Sequence, residues 1–161
     1  MTTRRMLLAT AAGLGVSAAA WSWPATALPA PPFRLTQAQW RARLTPEQFE
    51  ILRQAGTEMP FSSRLDMNYK PGRYDCVGCG QKLYSSKTKY DSHTGWPSFY
   101  APLPNAVQRS ADGSLGMERT EVHCANCGGH LGHVFDDGPK PTGLRYCMNG
   151  VALHFVPGAV A

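Results

Sequence analysis

Two short stretches, Cys76-Val77-Gly78-Cys79-Gly80 and Cys124-Ala125-Asn126-Cys127-Gly128, decide how this chain is organised. Each is a tight Cys-x-x-Cys turn that brings two thiolates to one metal ion, and the glycine after it lets backbone N–H groups point at sulfur. Four thiolates at about 2.3 Å complete a tetrahedral zinc site that leaves no position for water, so the pattern predicts one structural zinc ion. Two disulfides, or one redox-active dithiol, are the alternatives. The predicted zinc ligands are Cys76, Cys79, Cys124 and Cys127.

A fifth cysteine, Cys147, lies outside these turns in the segment 144–150. An odd cysteine is a buried hydrophobic residue, an intermolecular disulfide partner or a reactive thiol. Arg145 and the nearby histidines could lower the pKa of the Cys147 thiol from about 8.5, and Asn149 could orient a substrate or a water molecule. These neighbours favour a reactive thiol.

A histidine-containing segment, His130-Leu131-Gly132-His133-Val134-Phe135, follows the second cysteine turn. If a strand begins at His133, Phe135 points to the same face, so an imidazole and an aromatic ring project together. A histidine near a cysteine suggests proton transfer. The histidines could instead be hydrogen-bonded surface residues, whereas a role as zinc ligands is disfavoured because four cysteines already fill the site.

An aromatic loop at residues 91–99 presents Trp96 and Phe99 among glycine and proline. Such side chains more often belong to the core, but a tryptophan on a loop can also form the wall of an apolar site.

Two Thr-x-x-Gln capping boxes, at residues 36–39 and 45–48, each precede an apolar periodic stretch. They predict two short helices, the second with proline at its first position and an end near Ala55. Gly56 is expected to take the left-handed conformation that stops this helix. We expect the helices to form an N-terminal flap.

Beyond Tyr69 the chain changes to short runs separated by turn residues, which predict antiparallel strands at 73–77, 81–86, 117–124, 133–136 and 151–156. The last run alternates, with Val151, Leu153 and Phe155 expected to face the core and the residues between them to face away. The fold class is therefore predicted to be mainly β with short N-terminal helices (α+β).

The first 27 residues read as a twin-arginine export signal. Arg4 and Arg5 precede a Gly- and Ala-rich apolar run, and residues 25–27 have the small-x-small pattern that a signal peptidase requires. An uncleaved membrane anchor is the alternative, but the run is weakly hydrophobic. We expect a periplasmic or other extracytoplasmic protein without stable membrane association after the signal is cleaved. Because this route exports folded proteins, zinc can be loaded before export.

The remaining boundaries follow from composition. Residues 28–35 contain three prolines and are predicted to be a stiff linker, followed by one domain at 36–158 and a tail at 159–161. The chain has 161 residues, of which 43% are apolar and 17% charged, which fits one globular domain with an appendage. Its formal charge of +5 comes from scattered basic residues, so we expect no nucleic-acid partner.

The chain resembles the methionine-R-sulfoxide reductases of the MsrB type over essentially all of residues 36–158. The resemblance implies two small antiparallel sheets packed with a few helices and held together by zinc. It is carried by the two cysteine turns and by the motifs Gly56-Thr57-Glu58, Pro60-Phe61-Ser62, Gly95-Trp96-Pro97-Ser98-Phe99, His130-Leu131-Gly132-His133-Val134-Phe135-Asp136-Asp137-Gly138-Pro139 and Arg145-Tyr146-Cys147-Met148-Asn149-Gly150.

The resemblance also implies a mechanism. The Cys147 thiolate attacks the sulfur of a methionine-R-sulfoxide in an oxidised protein, while His133 stabilises or protonates the departing oxygen, and Cys147 is left as a sulfenic acid. The implied substrate contacts are Trp96 on the substrate methyl, Phe135 completing the apolar wall, and the polar candidates Asn149, Arg145 and His130.

Position 94 departs from the commonest pattern of these enzymes, because Thr94 stands where many relatives have a cysteine that condenses onto the sulfenic acid. No such resolving cysteine remains, so either an external thioredoxin-like thiol reduces the sulfenic acid or a zinc turn opens during turnover. The external thiol is favoured, since opening a structural zinc site sacrifices folding free energy.

Two functions of other classes remain open from the residues alone. One is a zinc-stabilised binding module that contacts a partner through Trp96 and Phe99, and the other is a thiol-disulfide oxidoreductase that uses a Cys-x-x-Cys pair. Cys147→Ser would leave the first active, and the second would hold no zinc tightly.

Overall fold

The computed structural model describes residues 31–158, so the predicted export signal, the start of the predicted linker and the tail lie outside the described residues. Both predicted helices are present: α1 spans Gln37–Arg43 and α2 spans Pro46–Gln54. Thr36 and Thr45 cap them through complete capping boxes, as predicted. The prediction for the end of α2 was wrong by one residue, because Ala55 itself takes the left-handed conformation (φ 55°).

The helices are part of the core rather than a flap. Trp40, Phe49 and Leu52 are buried, and the Arg53 guanidinium lies 4.9 Å from the centre of the Trp40 ring. Phe33, inside the stretch predicted as a linker, packs on Trp40 at 5.8 Å and donates its N–H to the Asn126 carbonyl. Residues 33–54 therefore bury the apolar surface beside the second cysteine turn.

Both helices also bond to the cysteine turns. Arg43 Nε donates to the Gly78 carbonyl at 2.6 Å, and Arg53 Nη1 donates to the Cys127 carbonyl at 3.1 Å. Charged donors make stronger hydrogen bonds than neutral ones, so each helix holds one turn in place.

Within residues 31–158, nine strands form two antiparallel sheets, which confirms the predicted fold class. The smaller sheet has the order β2-β1-β9 and the larger one the order β3-β4-β8-β7-β6-β5. The strands are β1 Gly72–Cys76, β2 Lys82–Ser85, β3 Lys89–Tyr90, β4 Ser98–Phe99, β5 Val107–Asp112, β6 Arg119–Cys124, β7 His130–Phe135, β8 Arg145–Met148 and β9 Leu153–Pro157.

The alternation predicted for the last strand holds only in part. Residues Gly150–Ala152 form a 3-10 turn, and β9 begins at Leu153. Because a 3-10 turn does not alternate its side chains between two faces, Ala152 is buried rather than outward-facing. Burial alternates at the start of β9, with Leu153 buried and His154 exposed, whereas Phe155 and Val156 are both half-buried.

An aromatic cluster joins the two sheets. Tyr84 of β2 stacks on Phe99 of β4 with ring centres 4.4 Å apart, and Tyr74 of β1 meets Phe99 edge-on at 5.0 Å. Phe99 is fully buried, so it is not the exposed partner contact that the binding-module hypothesis required. Phe99 pairs with Tyr146 across β4 and β8, which turns the neighbouring residues Ser98 and Cys147 to the opposite face of the sheet.

No helix within residues 31–158 is both long enough and apolar enough to cross a membrane.

Candidate active site

The four cysteines of the two turns meet in one cluster at the edge of the core. Their sulfur atoms all lie within 4.8 Å of one another, with 3.8 Å between Cys76 and Cys127 and 3.6 Å between Cys79 and Cys124. A tetrahedron with metal–sulfur bonds of about 2.3 Å has edges of about 3.8 Å, so the residues fit a four-coordinate metal ion. None of the four cysteines is in a disulfide.

The two turns have the same backbone shape. Gly80 and Gly128 have φ values of 75° and 66°, and their N–H groups donate to the carbonyls of Cys76 and Cys124, both at 2.8 Å. Only glycine adopts such φ values without cost, which explains the glycine after each pair.

Cys147 lies in the middle of a row of side chains that crosses the larger sheet. The register pairs Cys147 with Ser98 of β4 on one side and with His133 of β7 on the other. His133 in turn pairs with Glu121 of β6. Since directly paired residues project from the same face, the thiol has a hydroxyl on one flank and an imidazole, followed by a carboxylate, on the other.

Close approach of β7 and β8 fixes the position of this row. Gly132 pairs with Met148, one residue from Cys147, and has a φ of 152°. A Cβ atom at Gly132 would lie only 2.1 Å from the Cys147 carbonyl oxygen, so no other residue fits there without moving β8.

A cavity of about 140 Å³ opens beside Cys147. Trp96 and Phe135 supply its apolar walls, and His133 and Arg119 supply polar ones. Burial raises the pKa of the Cys147 thiol and outweighs the opposite effects of Thr94 and Arg145. The expectation that its neighbours leave Cys147 with a lowered pKa is therefore wrong, because desolvation disfavours the thiolate more than those neighbours favour it.

His133 is held by a residue that the sequence did not indicate. Its Nε2 lies 2.7 Å from Oδ2 of Asp112, which also accepts from Nη2 of Arg119 at 2.7 Å. The backbone N–H of Ser114 and the side chain of His133 lower the pKa of Asp112, so this carboxyl is ionised at neutral pH. Asp112 ends β5 and becomes a neighbour of His133 only through the pairing of β5, β6 and β7.

His130 lies near the cavity beside Cys147 but does not line it. Its side chain is 4% exposed, Nδ1 lies 2.5 Å from Glu121, and Nε2 is buried with no hydrogen-bond partner. Burial lowers its pKa despite the carboxylate. The register shifts between Val122 and His123, where β6 pairs with β7. This bulge brings the His130 ring within 5.5 Å of His133, although residues three apart in a regular strand face opposite sides.

Arg145 lies above an aromatic ring and is paired. Its guanidinium makes two hydrogen bonds to Asp137, both 2.8 Å, and stands 4.3 Å from the centre of the Phe135 ring. The charge that was expected to act on Cys147 is thus largely engaged by Asp137.

Asn149 lines the cavity, but its amide serves the scaffold. Oδ1 accepts from the Glu58 backbone N–H at 2.9 Å and Nδ2 donates to the Leu131 carbonyl at 3.1 Å. Glu58 is 5% exposed, and its carboxylate accepts from the N–H groups of Gly150 and Val151. The Glu58 carbonyl also accepts from Trp96 Nε1 at 3.1 Å, so Glu58 ties one wall of the cavity to the turn after Cys147.

Three hydroxyl groups form a chain that ends at the Cys147 sulfur. Thr94 Oγ1 lies 3.8 Å from Sγ of Cys147 and 2.8 Å from Ser92 Oγ. Ser92 Oγ lies 2.7 Å from Ser98 Oγ, which donates to the Trp96 carbonyl at 3.0 Å. Thr94, which stands where many relatives have a resolving cysteine, is thus in direct contact with Cys147, the candidate nucleophile.

A half-buried thiol beside an imidazole, separate from a closed cluster of four cysteines, is the arrangement that a thiol-dependent oxidoreductase requires. The described residues thus divide their cysteines between one candidate for chemistry and four for a metal.

Comparison with known proteins then gives the family. A profile described as the SelR domain matches residues 44–157. A protein of Leptospira interrogans is 58% identical over 117 residues, which are 72% of this chain and 89% of that protein. One of Agrobacterium fabrum is 51% identical over 131 residues (81% and 97%), and one of Pseudomonas fluorescens is 55% identical over 123 residues (76% and 94%). All three are named peptide methionine sulfoxide reductase MsrB. The chain belongs to this family, which confirms the resemblance.

Proposed function

We propose that this protein reduces methionine-R-sulfoxide residues in oxidised proteins to methionine. The observation that carries the proposal is the pairing of Cys147 with His133 at a cavity walled by Trp96 and Phe135. Apolar walls suit the methyl group of the substrate, and the thiol and the imidazole are the two groups that the reaction needs. The names of the relatives, peptide methionine sulfoxide reductase MsrB, support methionine sulfoxide in peptides as the substrate class.

In the first half of the reaction, the Cys147 thiolate attacks the sulfoxide sulfur and a proton moves from His133 to the sulfoxide oxygen. The oxygen then moves to the Cys147 sulfur, and both its bond to the substrate sulfur and the transient bond between the two sulfur atoms break. Methionine leaves, reduced by two electrons, and Cys147 becomes a sulfenic acid, oxidised by two. Asp112 occupies Nε2 of His133, which leaves Nδ1 for proton transfer.

In the second half, an external thioredoxin-like dithiol restores Cys147. One of its thiolates attacks the sulfenic sulfur, the hydroxyl group leaves as water after protonation, and the second thiol then breaks the mixed disulfide. The external thiol is preferred because Thr94 occupies the position beside Cys147, while the four other cysteines lie together in their own cluster.

Zinc is the proposed occupant of the cysteine cluster, because an all-sulfur tetrahedral donor set selects zinc or an iron–sulfur centre. Cys76, Cys79, Cys124 and Cys127 would hold it and would use all four coordination positions. Such an ion stabilises the fold and takes no part in the reaction.

Export by the twin-arginine route to the periplasm is also proposed, from residues 1–27 alone. Fractionation of cells that produce the full chain, beside a variant with Arg4 and Arg5 changed to Lys, tests it; an unchanged distribution would contradict it.

The central test uses Cys147→Ser and a substrate with both epimers of methionine sulfoxide at sulfur. We expect wild type to consume only the R epimer and Cys147→Ser to consume neither, while the variant retains its zinc and its melting temperature. Serine is nearly isosteric but supplies no thiolate at neutral pH. Turnover by Cys147→Ser, or equal loss of both epimers from wild type, would overturn the proposal.

A further inference from the structure

The hydroxyl chain next to Cys147 has a direction that can be worked out from its protons. Ser98 Oγ donates its one proton to the Trp96 carbonyl, so the contact between Ser92 and Ser98 must use the proton of Ser92. By the same reasoning, the contact between Thr94 and Ser92 uses the proton of Thr94. The contact between Thr94 and Cys147 is then left for the thiol proton. Four contacts are served by three hydroxyl protons and one thiol proton.

Ionisation of Cys147 removes one of these four protons. The thiolate can only accept, and Thr94 can turn its hydroxyl toward sulfur while Ser92 donates to Thr94. Ser98, the cross-strand neighbour of Cys147, can reach the thiolate as well, but only by giving up its bond to the Trp96 carbonyl. The donors of the hydroxyl chain then point toward the thiolate, and Ser98 has one proton for two acceptors, Ser92 and the Trp96 carbonyl. One neutral hydrogen bond at the buried Ser98 is lost, and one charge-assisted bond to the thiolate is gained. Hydrogen bonds to an ionised group are about twice as strong as neutral ones, so the reversed chain favours the thiolate.

We propose that Thr94 is a positioning residue whose hydroxyl, supported by Ser92 and Ser98, donates to the Cys147 thiolate and keeps it available for reaction. The inference rests on the proposed role of Cys147 as the nucleophile. It gives position 94 a function of its own in a chain without a resolving cysteine there. The Thr94 contact also opposes the burial that raises the pKa of Cys147.

Other charged and titratable groups face Cys147 and must stay unchanged in a test. They are His133 on β7, Arg119 on β6, Tyr90 on β3, Arg145 on β8 itself and Asp137, which is paired with Arg145. Substitutions at position 94 leave all of them in place, so a shift can be assigned to the hydroxyl.

The test measures the rate of Cys147 alkylation by iodoacetamide against pH in the zinc-loaded protein, with Cys147→Ser as the blank. Thr94→Val keeps the shape and removes the donor, and the apparent pKa of Cys147 should rise by about one unit, which is ten-fold less thiolate at neutral pH. Thr94→Ser keeps the hydroxyl and should stay within about 0.3 units of wild type. Thr120→Val, the same change on β6, is the matched control and should not shift the pKa.

An unchanged pKa in Thr94→Val, or an equal rise in Thr94→Ser, would overturn the inference. If Thr94→Val does not fold, Thr94→Ala, which needs no additional space, must show the rise. Alkylation requires no turnover, so the result is separable from the reductase proposal. A protein with the expected shift but no sulfoxide reduction would contradict the proposed function alone.

Discussion

Glu58 offers the sharpest test of how the site is held together. Its carboxylate accepts two backbone N–H groups, from Gly150 at 2.6 Å and from Val151 at 2.8 Å, and it is 5% exposed. Glu58→Gln keeps the volume of the side chain but replaces one acceptor oxygen by an NH₂ group. One of the two N–H groups then faces a donor and loses its partner.

The expected loss of stability follows from that unpaired group. Leaving a buried donor unsatisfied costs about 1–3 kcal/mol, so we expect the free energy of unfolding of Glu58→Gln to fall by this amount. Chemical denaturation of the zinc-loaded protein measures it. Glu118→Gln is the control, because it makes the same chemical change on an exposed side chain and should alter stability by less than about 0.5 kcal/mol.

The pH dependence gives a second, independent check. Burial raises the pKa of the Glu58 carboxyl above 4.5 and outweighs the two backbone hydrogen bonds that lower it. A carboxyl whose pKa is raised in the folded state contributes stability that is fully present below its unfolded pKa and is lost as the pH rises through its folded pKa. The gap in stability between wild type and Glu58→Gln should therefore be larger at pH 5 than at pH 8. A variant as stable as Glu118→Gln, or a gap that widens toward pH 8, would refute this reasoning.

Three further predictions concern the four-cysteine cluster, position 94 beside Cys147, and the Asp112 carboxylate that contacts His133. Cys79→Ser and Cys124→Ser should each lower the melting temperature and the zinc content far more than Cys147→Ser does, because they remove a thiolate from a four-sulfur site. Calorimetry and metal analysis measure both quantities, and equal losses in all three variants would contradict the assignment of four cysteines to the metal and one to the reaction. Thr94→Cys should form a disulfide with Cys147 after one turnover, detectable by peptide mapping, because closing the present 3.8 Å contact to a bond of about 2.05 Å needs a shift of less than about 2 Å; wild type should give no new disulfide. Asp112→Asn should be less stable than wild type at pH 7 and equal to it in acid, since a carboxyl with a lowered pKa contributes stability above about 3.8 that is lost as the pH falls; an equal loss at every pH would contradict it.

Local patterns predicted much of this molecule. The capping boxes beginning at Thr36 and Thr45 bond within one turn of helix, and the helices appear where those boxes indicate. The two cysteine turns are equally local, because each is completed by one glycine. Ala55 shows the limit of such reasoning: it stops α2 one residue before the glycine that the sequence favoured.

Interactions between distant segments were not predictable in this way. Strands β3 and β4 are two residues long and exist only because they pair with each other and with β8. Asp112 reaches His133 across two strand pairings, and Glu58 reaches Gly150 across most of the domain. The resemblance motifs included Glu58, but no pattern along the chain indicated what it binds. The pKa of Cys147 was misjudged for the same reason, since charge is visible in a sequence and desolvation is not.

Gly132 has a consequence for how this family should be read from genetic data. Any side chain at position 132 would push against the carbonyl of Cys147, although glycine itself has no group that can react or bind. In a saturation screen for survival under oxidants, position 132 should therefore be as intolerant as position 147. Such intolerance would mark a close contact between two backbones. A list of catalytic residues drawn from essential positions alone would therefore wrongly include Gly132.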